Sequence, residues 1–418
     1  MCFLRFLMQA RSTLGRYLQA EKATGSETNL RKLHIVLGNE SCDLDSAVSA
    51  LTLAFIYAQR QQEHDFLPVL NIPRIDYPLK TEVRHMLNKC EIDAQLLLFR
   101  DDLPEQLRSD ISVILVDHHV SSSSLAPLVS EILDHRPLDK QHPVLQLLPT
   151  HCVRHIEPEV GSCATLVAER YLAEEQPRSS CVSRLLHATI VLDTINFSPA
   201  ARRFCARDLA MVELLEQQQQ QGTETTVDDD EDVQLQRLQL FEELVAARAD
   251  ISQLSLAEVL RKDAKQLRTQ RNNLPLAGLP MLVRDFIELP DAELAIRQFA
   301  GDSQLLIILG MFVAPGTGQV QRDVALIPLS PPCPLLERVR RALLDCQSPA
   351  LQLQPHAADS SFMGGCFMRQ LNVQATRKHI LPVVQRVLTE WEAAEEATQH
   401  CDCDDVYFFK EKPKLGLS

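Results

Sequence analysis

Aspartates stand where three apolar runs of this sequence end. Asp43 and Asp45 follow the first run after a short polar segment. Asp117 and Asp134 follow the second and third runs directly. Aspartates at the carboxyl ends of buried parallel strands point into the crevice where open α/β sheets bind ligands. The pattern therefore predicts a two-metal site for phosphoester chemistry.

Each of these acids also has a structural explanation when it is taken alone. Asp43-x-Asp45 is common in solvated turns and at helix N-caps, and Asp117 could cap a loop at a strand end. Asp193 lies in an apolar helical run, where an unpaired charge is unfavourable, and His135 adds a nitrogen donor. The convergence of five such groups favours the metal site over the structural explanations.

The donor types predict which metal binds. Four carboxylates and one imidazole are mainly hard donors, which favour Mg²⁺ or Mn²⁺, with Co²⁺ as an alternative, over a thiolate zinc site. Two ions can share a bridging aspartate, and Asp117 is the candidate. His118 and His119 either hold the attacking water and the phosphate or have a structural role.

Size and charge limit the protein class. The chain has 418 residues, 45% of them hydrophobic, which is enough for two domains. A net charge of −14 argues against a nucleic-acid-binding surface. Its twelve cysteines include no Cys-x-x-Cys pair, which indicates a reducing compartment. No apolar run approaches the ~20 residues that span a bilayer.

The first twenty residues are basic and contain no acid. Three arginines alternate with apolar residues, as in a mitochondrial transit peptide. The alternative is an ordinary disordered or docking N-terminus. In either case we expect this segment to precede the fold, and the protein to be cytoplasmic or in the mitochondrial matrix.

Apolar patterning predicts an α/β protein. Strands alternate with helices up to about residue 196, which implies a mostly parallel sheet flanked by helices. Beyond a glutamine-rich and acidic stretch, the pattern predicts a smaller α+β domain, with a helix at 255–267 and a strand at 280–286. The predicted segments are an N-terminal extension at 1–30, the α/β domain at 31–215, a linker at 216–234, the second domain at 235–396 and a tail at 397–418.

The ordered motifs resemble a known family. Asn39-x3-Asp43-x-Asp45-Ser46, then Asp-His-His at 117–119, then an aspartate in a late apolar helix resemble the DHH phosphoesterase superfamily. The Asp-His-Arg-Pro at 134–137 and the Leu-Arg-Lys-Asp at 260–263 resemble the prune proteins in particular. These proteins are similar to family II pyrophosphatases, so the resemblance implies an N-terminal DHH domain and a C-terminal DHH-associated domain.

The resemblance also implies a role for each metal ligand. Asp43 and the bridging Asp117 would hold one ion. The other ion would be held by Asp45, Asp117, His135 and Asp193.

Two positions differ from the pyrophosphatase pattern. Asn39 stands where the pyrophosphatases have a histidine ligand, and an amide is a poorer ligand. Arg136 replaces a histidine beside the leaving phosphate; it can bind phosphate but cannot act as a general acid at neutral pH. The candidate catalytic residues are Asp117, His118 and Arg136. The candidate phosphate-binding residues are His119, Arg136, Lys265, Arg377 and Lys378.

The activity that the resemblance implies is metal-dependent hydrolysis of short polyphosphates. Hydrolysis of cyclic AMP or cyclic GMP is also implied, and the sequence does not rank the two. The alternative is a weakly active regulatory scaffold that binds nucleoside diphosphate kinase, with Asn39 and Arg136 as signs of lost catalysis.

Overall fold

The computed structural model describes residues 2–22, 31–138, 142–174, 179–220, 230–313, 319–356 and 362–404. The chain divides into two units, residues 1–250 and 251–418. Each unit contains one six-stranded sheet. None of the described helices is long and apolar enough to cross a lipid bilayer.

The first unit is a parallel sheet with flanking helices. Its strands are β1 (Lys32–Leu37), β2 (His64–Leu70), β3 (Leu98–Phe99), β4 (Ser112–Val116), β5 (Val129–Asp134) and β6 (Val153–Ile156). Its α-helices are α1 (Phe3–Lys22), α2 (Leu44–Arg60), α3 (Thr81–Lys89), α4 (Cys163–Leu172), α5 (Ser180–Asp193), α6 (Ala206–Gln220) and α7 (Asp230–Ala249). Short 3₁₀ helices span Arg74–Leu79, Ala94–Leu96, Arg100–Asp102, Ala126–Leu128 and Pro143–Leu147.

The strand order of the first sheet locates its ligand crevice. The order is β3-β2-β1-β4-β5-β6, and all pairs are parallel. Every residue of β4 is buried, since both faces of a central parallel strand are covered. The direction of winding reverses between β1 and β4, and open α/β sheets bind ligands at that reversal, beyond the carboxyl ends of the strands. Asp43 and Asp117 lie in the segments that follow these two strands.

The second unit is a mixed sheet covered by helices. Its strands are β7 (Asp263–Arg268), β8 (Asn273–Leu279), β9 (Leu305–Val313), β10 (Val320–Pro328), β11 (Leu353–Pro355) and β12 (Cys366–Gln370). Its helices are α8 (Leu256–Lys262), α9 (Val283–Ile287), α10 (Ala292–Ala300), α11 (Pro334–Leu344) and α12 (Arg377–Asp404). The order is β11-β12-β10-β9-β8-β7, with only β8 and β9 parallel among these pairs. The predicted fold class is confirmed.

The sequence predicted that the N-terminal segment precedes the fold, but the structure shows it as part of the first unit. It forms α1, whose Phe3 and Phe6 pack on Phe55 of α2 with ring centroids 5.2 and 5.6 Å apart. Farther along α1, Leu14 and Tyr17 join a second apolar cluster of the same unit. The alternation that suggested a transit peptide is therefore also the apolar face of a docked helix.

The units divide at residue 250, whereas the sequence placed the second domain from residue 235. Residues 221–229 of the proposed linker lie outside the described residues, and helices α6 and α7 cover the rest of it. Helix α7 belongs to the first unit because Leu244 is fully buried in its core. Arg237 also forms two hydrogen bonds with Glu216 of α6, at 2.9 and 2.7 Å.

Two predicted elements of the second unit are different in the structure. The helix predicted at 255–267 ends at Lys262, and the chain continues as β7. The strand predicted at 280–286 falls on a turn and on the short helix α9, and the strand itself is the preceding segment, β8. The predictions were wrong in element type for residues 263–267 and 280–286, because a short apolar run is compatible with either a helix or a strand.

The docking of α1 gives a stability prediction. Phe3 is 2% exposed, so Phe3→Ala should lower the free energy of unfolding by about 3–5 kcal/mol and reduce the urea midpoint of the first unit. Met8→Ala on the same helix is the control, because Met8 is 57% exposed and its change should stay within about 0.5 kcal/mol. Equal midpoints for the two variants would show that α1 is not part of the folded unit.

Candidate metal site

The loop after β1 is shaped by close contacts of its backbone. A Cβ on Gly38 would lie 2.3 Å from the hydroxyl of Ser46, so only glycine fits there. The Ser46 hydroxyl accepts a hydrogen bond from the backbone N–H of Asn39 at 2.6 Å. Asp43 is the N-cap of α2 and accepts from the backbone N–H of Ser46 at 3.2 Å. The structural role that the sequence allowed for Asp43 is thus present.

Asp45 is fixed by the start of a different helix. Its side chain is buried and accepts backbone hydrogen bonds from Cys163 at 2.7 Å and Ala164 at 2.8 Å, at the positive N-terminus of α4. The Ser49 hydroxyl donates a hydrogen bond to Oδ1, the oxygen that also accepts the backbone N–H of Ala164. The other oxygen, Oδ2, keeps a lone pair and lies 3.6 Å from Nε2 of His135.

Asp117 stands at a sharp turn after β4. Its φ of 60° is left-handed, and its backbone N–H donates to the Leu133 carbonyl at 3.0 Å. The buried carboxylate accepts from Nδ2 of Asn39 at 2.6 Å through Oδ2. Its Oδ1 lies 3.3 Å from Nε2 of His135 and 3.4 Å from the Arg136 guanidinium. The turn thus directs one carboxylate oxygen toward two cationic or metal-binding groups.

His135 is oriented by the segment that follows β6. Its Nδ1 donates to the Val160 carbonyl at 3.2 Å, so Nε2 is the nitrogen that faces Asp45 and Asp117. A backbone carbonyl on the far nitrogen is a common way to orient a metal-binding histidine. Asp134 fixes the chain here, because its Oδ1 accepts the backbone N–H of His135 at 2.8 Å.

The predicted ligands converge on one cavity. Ligand atoms of Asp45, Asp117 and His135 all lie within 4.8 Å of one another. These three groups, together with Asp43, Asp193 and Arg136, line a cavity of about 500 Å³ in the first unit. The structure therefore brings together the five predicted metal ligands and the arginine that follows His135.

The pKa values of this cluster are shifted in the direction that favours bound positive charge. Burial and the nearby Asp45 carboxylate raise the pKa of Asp117 above its usual range. Burial and Asp45 also raise the pKa of Asp193. Burial alone would lower the pKa of His135, but its hydrogen bond with Asp117 and the charge of Asp45 raise it instead. Raised pKa values mean that these buried groups hold protons to a higher pH than usual. A bound divalent cation would replace those protons, so the donor set fits a metal ion.

Asn39 does not present an oxygen to the cavity. Its Oδ1 accepts from the backbone N–H and the hydroxyl of Ser41, at 2.8 and 2.6 Å, and from the backbone N–H of Cys42 at 3.2 Å. These donors fix the amide orientation, so Nδ2 is the atom that faces Asp117. Asn39 therefore positions Asp117 and does not act as a ligand in this arrangement.

The two histidines after Asp117 lie beside the cluster. His119 is buried, and its Nδ1 donates to Oδ2 of Asp134 at 2.5 Å. His118 Nδ1 donates to the Val116 carbonyl at 2.9 Å, and burial lowers the pKa of its imidazole. Neither is among the described residues that line the cavity. Their proposed contacts with water and phosphate stay predictions.

The three predicted cations of the second unit lie on β7 and α12. Lys265 is an exposed residue of β7, and Lys378 is an exposed residue of the first turn of α12. Arg377 begins α12 and forms an ion pair of 2.6 Å with Asp263, the first residue of β7. This pair joins the two elements that carry the three cations.

Two further arginines line the cavity of the first unit and were not predicted. Arg202 and Arg203 follow α5 and are exposed. Their only signal in the sequence is an Arg-Arg pair shortly after the helix that carries Asp193. Glu159 lines the same cavity.

The chain is similar to several known proteins. The DHHA2 domain model matches residues 242–387. The chain is 33% identical to the human exopolyphosphatase PRUNE1 over 386 residues, which cover 90% of this chain and 79% of that protein. The rat exopolyphosphatase PRUNE1 is 33% identical with the same coverage. A putative family II inorganic pyrophosphatase from Methanococcus jannaschii aligns over 85% of this chain and 99% of its own, with 17% identity and a TM-score of 0.46.

The raised pKa values predict how the stability of the metal-free protein depends on pH. Asp117, Asp193 and His135 each hold protons in the folded state to a higher pH than in the unfolded state. The stability that they contribute is present at low pH, so thermal midpoints measured with a chelator should fall as the pH rises from about 5 to about 9. Asp117→Asn should reduce this slope, because asparagine tolerates the left-handed backbone and removes the charge.

The control for that prediction is Glu105→Gln, which neutralises an exposed acid of the same unit. Adding Mn²⁺ should raise the midpoint of the wild type and of Glu105→Gln, and should have a smaller effect on Asp117→Asn. If Asp117→Asn left the pH dependence of the thermal midpoint unchanged, the repulsion assigned to Asp117 and Asp45 would be contradicted.

Proposed function

The chain belongs to the prune family of exopolyphosphatases, and from that membership we propose that it is a metal-dependent hydrolase of short polyphosphates. The observation that supports this most is the convergence of Asp45, Asp117 and His135 at the point where the sheet reverses its winding. A carboxylate-rich site with an adjacent arginine fits phosphoanhydride chemistry, because metal ions and a guanidinium both bind phosphate oxygens.

Divalent ions are the proposed cofactors, with Mg²⁺ or Mn²⁺ as the candidates and Co²⁺ as the alternative. One ion would be held by Asp45, Asp117, His135 and Asp193, and a second by Asp43 and Asp117. Bound there, such ions would lower the pKa of a water and offset the charge that develops on the phosphate oxygens.

The second metal position has the weaker ligand set. Asn39 donates a hydrogen bond to Oδ2 of Asp117 and offers no oxygen to an ion. Asp43 is already committed to capping α2, although an oxygen of its carboxylate remains available. We therefore propose that the ion held by His135 binds more tightly than the ion held by Asp43.

Protein groups around the metals have separate tasks in this proposal. Arg136 is exposed enough to reach substrate and contacts Asp117, so it would bind the phosphate beside the bond that breaks. Asp134 holds His119 and the backbone of the turn that carries His135 and Arg136, so it would keep these groups in position. Since arginine stays protonated, the leaving oxygen must take its proton from water or from another group.

The second unit contributes further proposed phosphate ligands. Lys265, Arg377 and Lys378 are assigned this role on the family resemblance alone. Cyclic nucleotides are a second proposed substrate class, since they would use the same metals and water. A regulatory scaffold that binds nucleoside diphosphate kinase is the alternative, and the positioning role of Asn39 is the observation that favours it.

The test is phosphate release by the purified protein with Mg²⁺ or Mn²⁺. The substrates are pyrophosphate, tripolyphosphate, tetrapolyphosphate, cyclic AMP and cyclic GMP. We expect metal-dependent release from the short polyphosphates. Asp117→Asn should lower it by at least about 100-fold, because groups that only orient metal ligands already contribute about 10–100-fold.

Glu105→Gln is again the matched control and should keep the wild-type rate. Release that survives Asp117→Asn, or that needs no metal, would overturn the proposed mechanism. A folded protein that binds metal and hydrolyses none of the substrates would leave the scaffold as the function. In that case, binding of nucleoside diphosphate kinase should persist in Asp117→Asn.

A further inference from the structure

The turn after α5 brings two arginines to the cavity that the acids share. Arg202 and Arg203 line it together with Asp43, Asp45 and Asp193. Both are exposed, and the contacts of the described residues give neither guanidinium an acidic partner. Two exposed cations that line a strongly acidic cavity are available to attract and bind an anion that enters it.

This turn is held in one conformation by its own backbone. Helix α5 ends at Asp193, and Ile195, Asn196 and Phe197 have φ values of 54°, 47° and 57°. The N–H of Asn196 donates to the Val191 carbonyl at 2.8 Å. Arg202 is also left-handed, with a φ of 52°. Left-handed conformations at residues other than glycine are unfavourable, so the surrounding structure must enforce them.

Buried contacts supply that enforcement. Asp208 is fully buried and accepts the backbone N–H groups of Gly161 at 3.0 Å and Cys205 at 2.8 Å. Gly161 lets the two segments touch, because a Cβ there would lie 2.1 Å from the Arg203 carbonyl oxygen. The rings of Phe197 and Phe204 are 5.5 Å apart, edge to face, and join the ends of the turn. The arginines therefore extend from a fixed backbone.

We propose that Arg202 and Arg203 form a phosphate subsite that binds the part of a polyphosphate chain beyond the bond that is cleaved. Guanidinium groups bind phosphate oxygens through paired hydrogen bonds. A chain whose end lies at Asp45, Asp117 and His135 has further phosphates to place within the same cavity, and these two residues supply cations there. Glu159 lines the cavity as well, and its negative charge would favour keeping the chain on the arginine side.

This subsite rests on the proposed function, and it makes chain length the property that the arginines select. Arg202→Gln/Arg203→Gln should raise KM for tripolyphosphate by about tenfold while leaving kcat largely unchanged, because the lost contacts are remote from the reacting bond. Pyrophosphate should be affected much less. Arg202→Lys/Arg203→Lys should recover part of the loss, since lysine retains the charge without the paired geometry.

A binding measurement separates this subsite from hydrolysis. Calorimetry with Mg²⁺ and the non-hydrolysable imido analogues of pyrophosphate and tripolyphosphate should show weaker binding of the longer analogue by the double glutamine variant. The matched control is Arg5→Gln, an exposed arginine of α1 that is not among the cavity residues. Equal thermal midpoints for the double variant and the wild type would exclude unfolding as the cause of weaker binding.

The outcomes distinguish the two proposals. A wild type that binds the longer analogue through these arginines without hydrolysing polyphosphate would support the subsite and overturn the proposed activity. A wild type that hydrolyses polyphosphate, with a double variant that binds both analogues as the wild type does, would overturn the subsite alone. Equal weakening toward both analogues would also overturn it, because the arginines would then not select chain length.

Discussion

Two buried carboxylates that repel each other, those of Asp45 and Asp117, are the constraint around which the first unit is built. Three kinds of positive group offset the repulsion: the N-terminus of α4, the amide of Asn39 and the cationic side chains of His135 and Arg136. Without a metal ion, retained protons supply the remaining positive charge. The cluster therefore has the properties of a cation site whose stabilisation depends on what binds there.

The sheet topology is what makes this cluster possible. Asp45 lies in the first turn of α2 after β1, Asp117 follows β4, and His135 follows β5, so the carboxyl ends of three neighbouring strands meet at one edge of the sheet. The N-terminus of α4 lies beside this edge, where two of its backbone N–H groups donate hydrogen bonds to Asp45. No single motif contains the site, and its precision depends on the register of the parallel strands.

The sequence was sufficient for the fold class and for the convergence of the acids, because parallel strands place their carboxyl ends at one edge. The sequence was not sufficient where the same residue pattern is compatible with two different structures. The alternation in α1 suits both a transit peptide and a docked helix, and the polar α7 resembles a linker until Leu244 is seen in the core. The orientation of Asn39 depends on backbone donors at Ser41 and Cys42, and the position of Arg202 depends on a left-handed turn. Such details of backbone geometry leave no periodic pattern in the sequence.

The most direct test of the central claim is anomalous X-ray diffraction from crystals of the protein grown with Mn²⁺. The account predicts a manganese peak bounded by Asp45, Asp117 and His135, with a weaker peak or none beside Asp43. The same peak should be absent from crystals of Asp117→Asn. A peak elsewhere, or none at all in the wild type while the carboxylates keep their arrangement, would contradict the assignment of this cluster as a metal site.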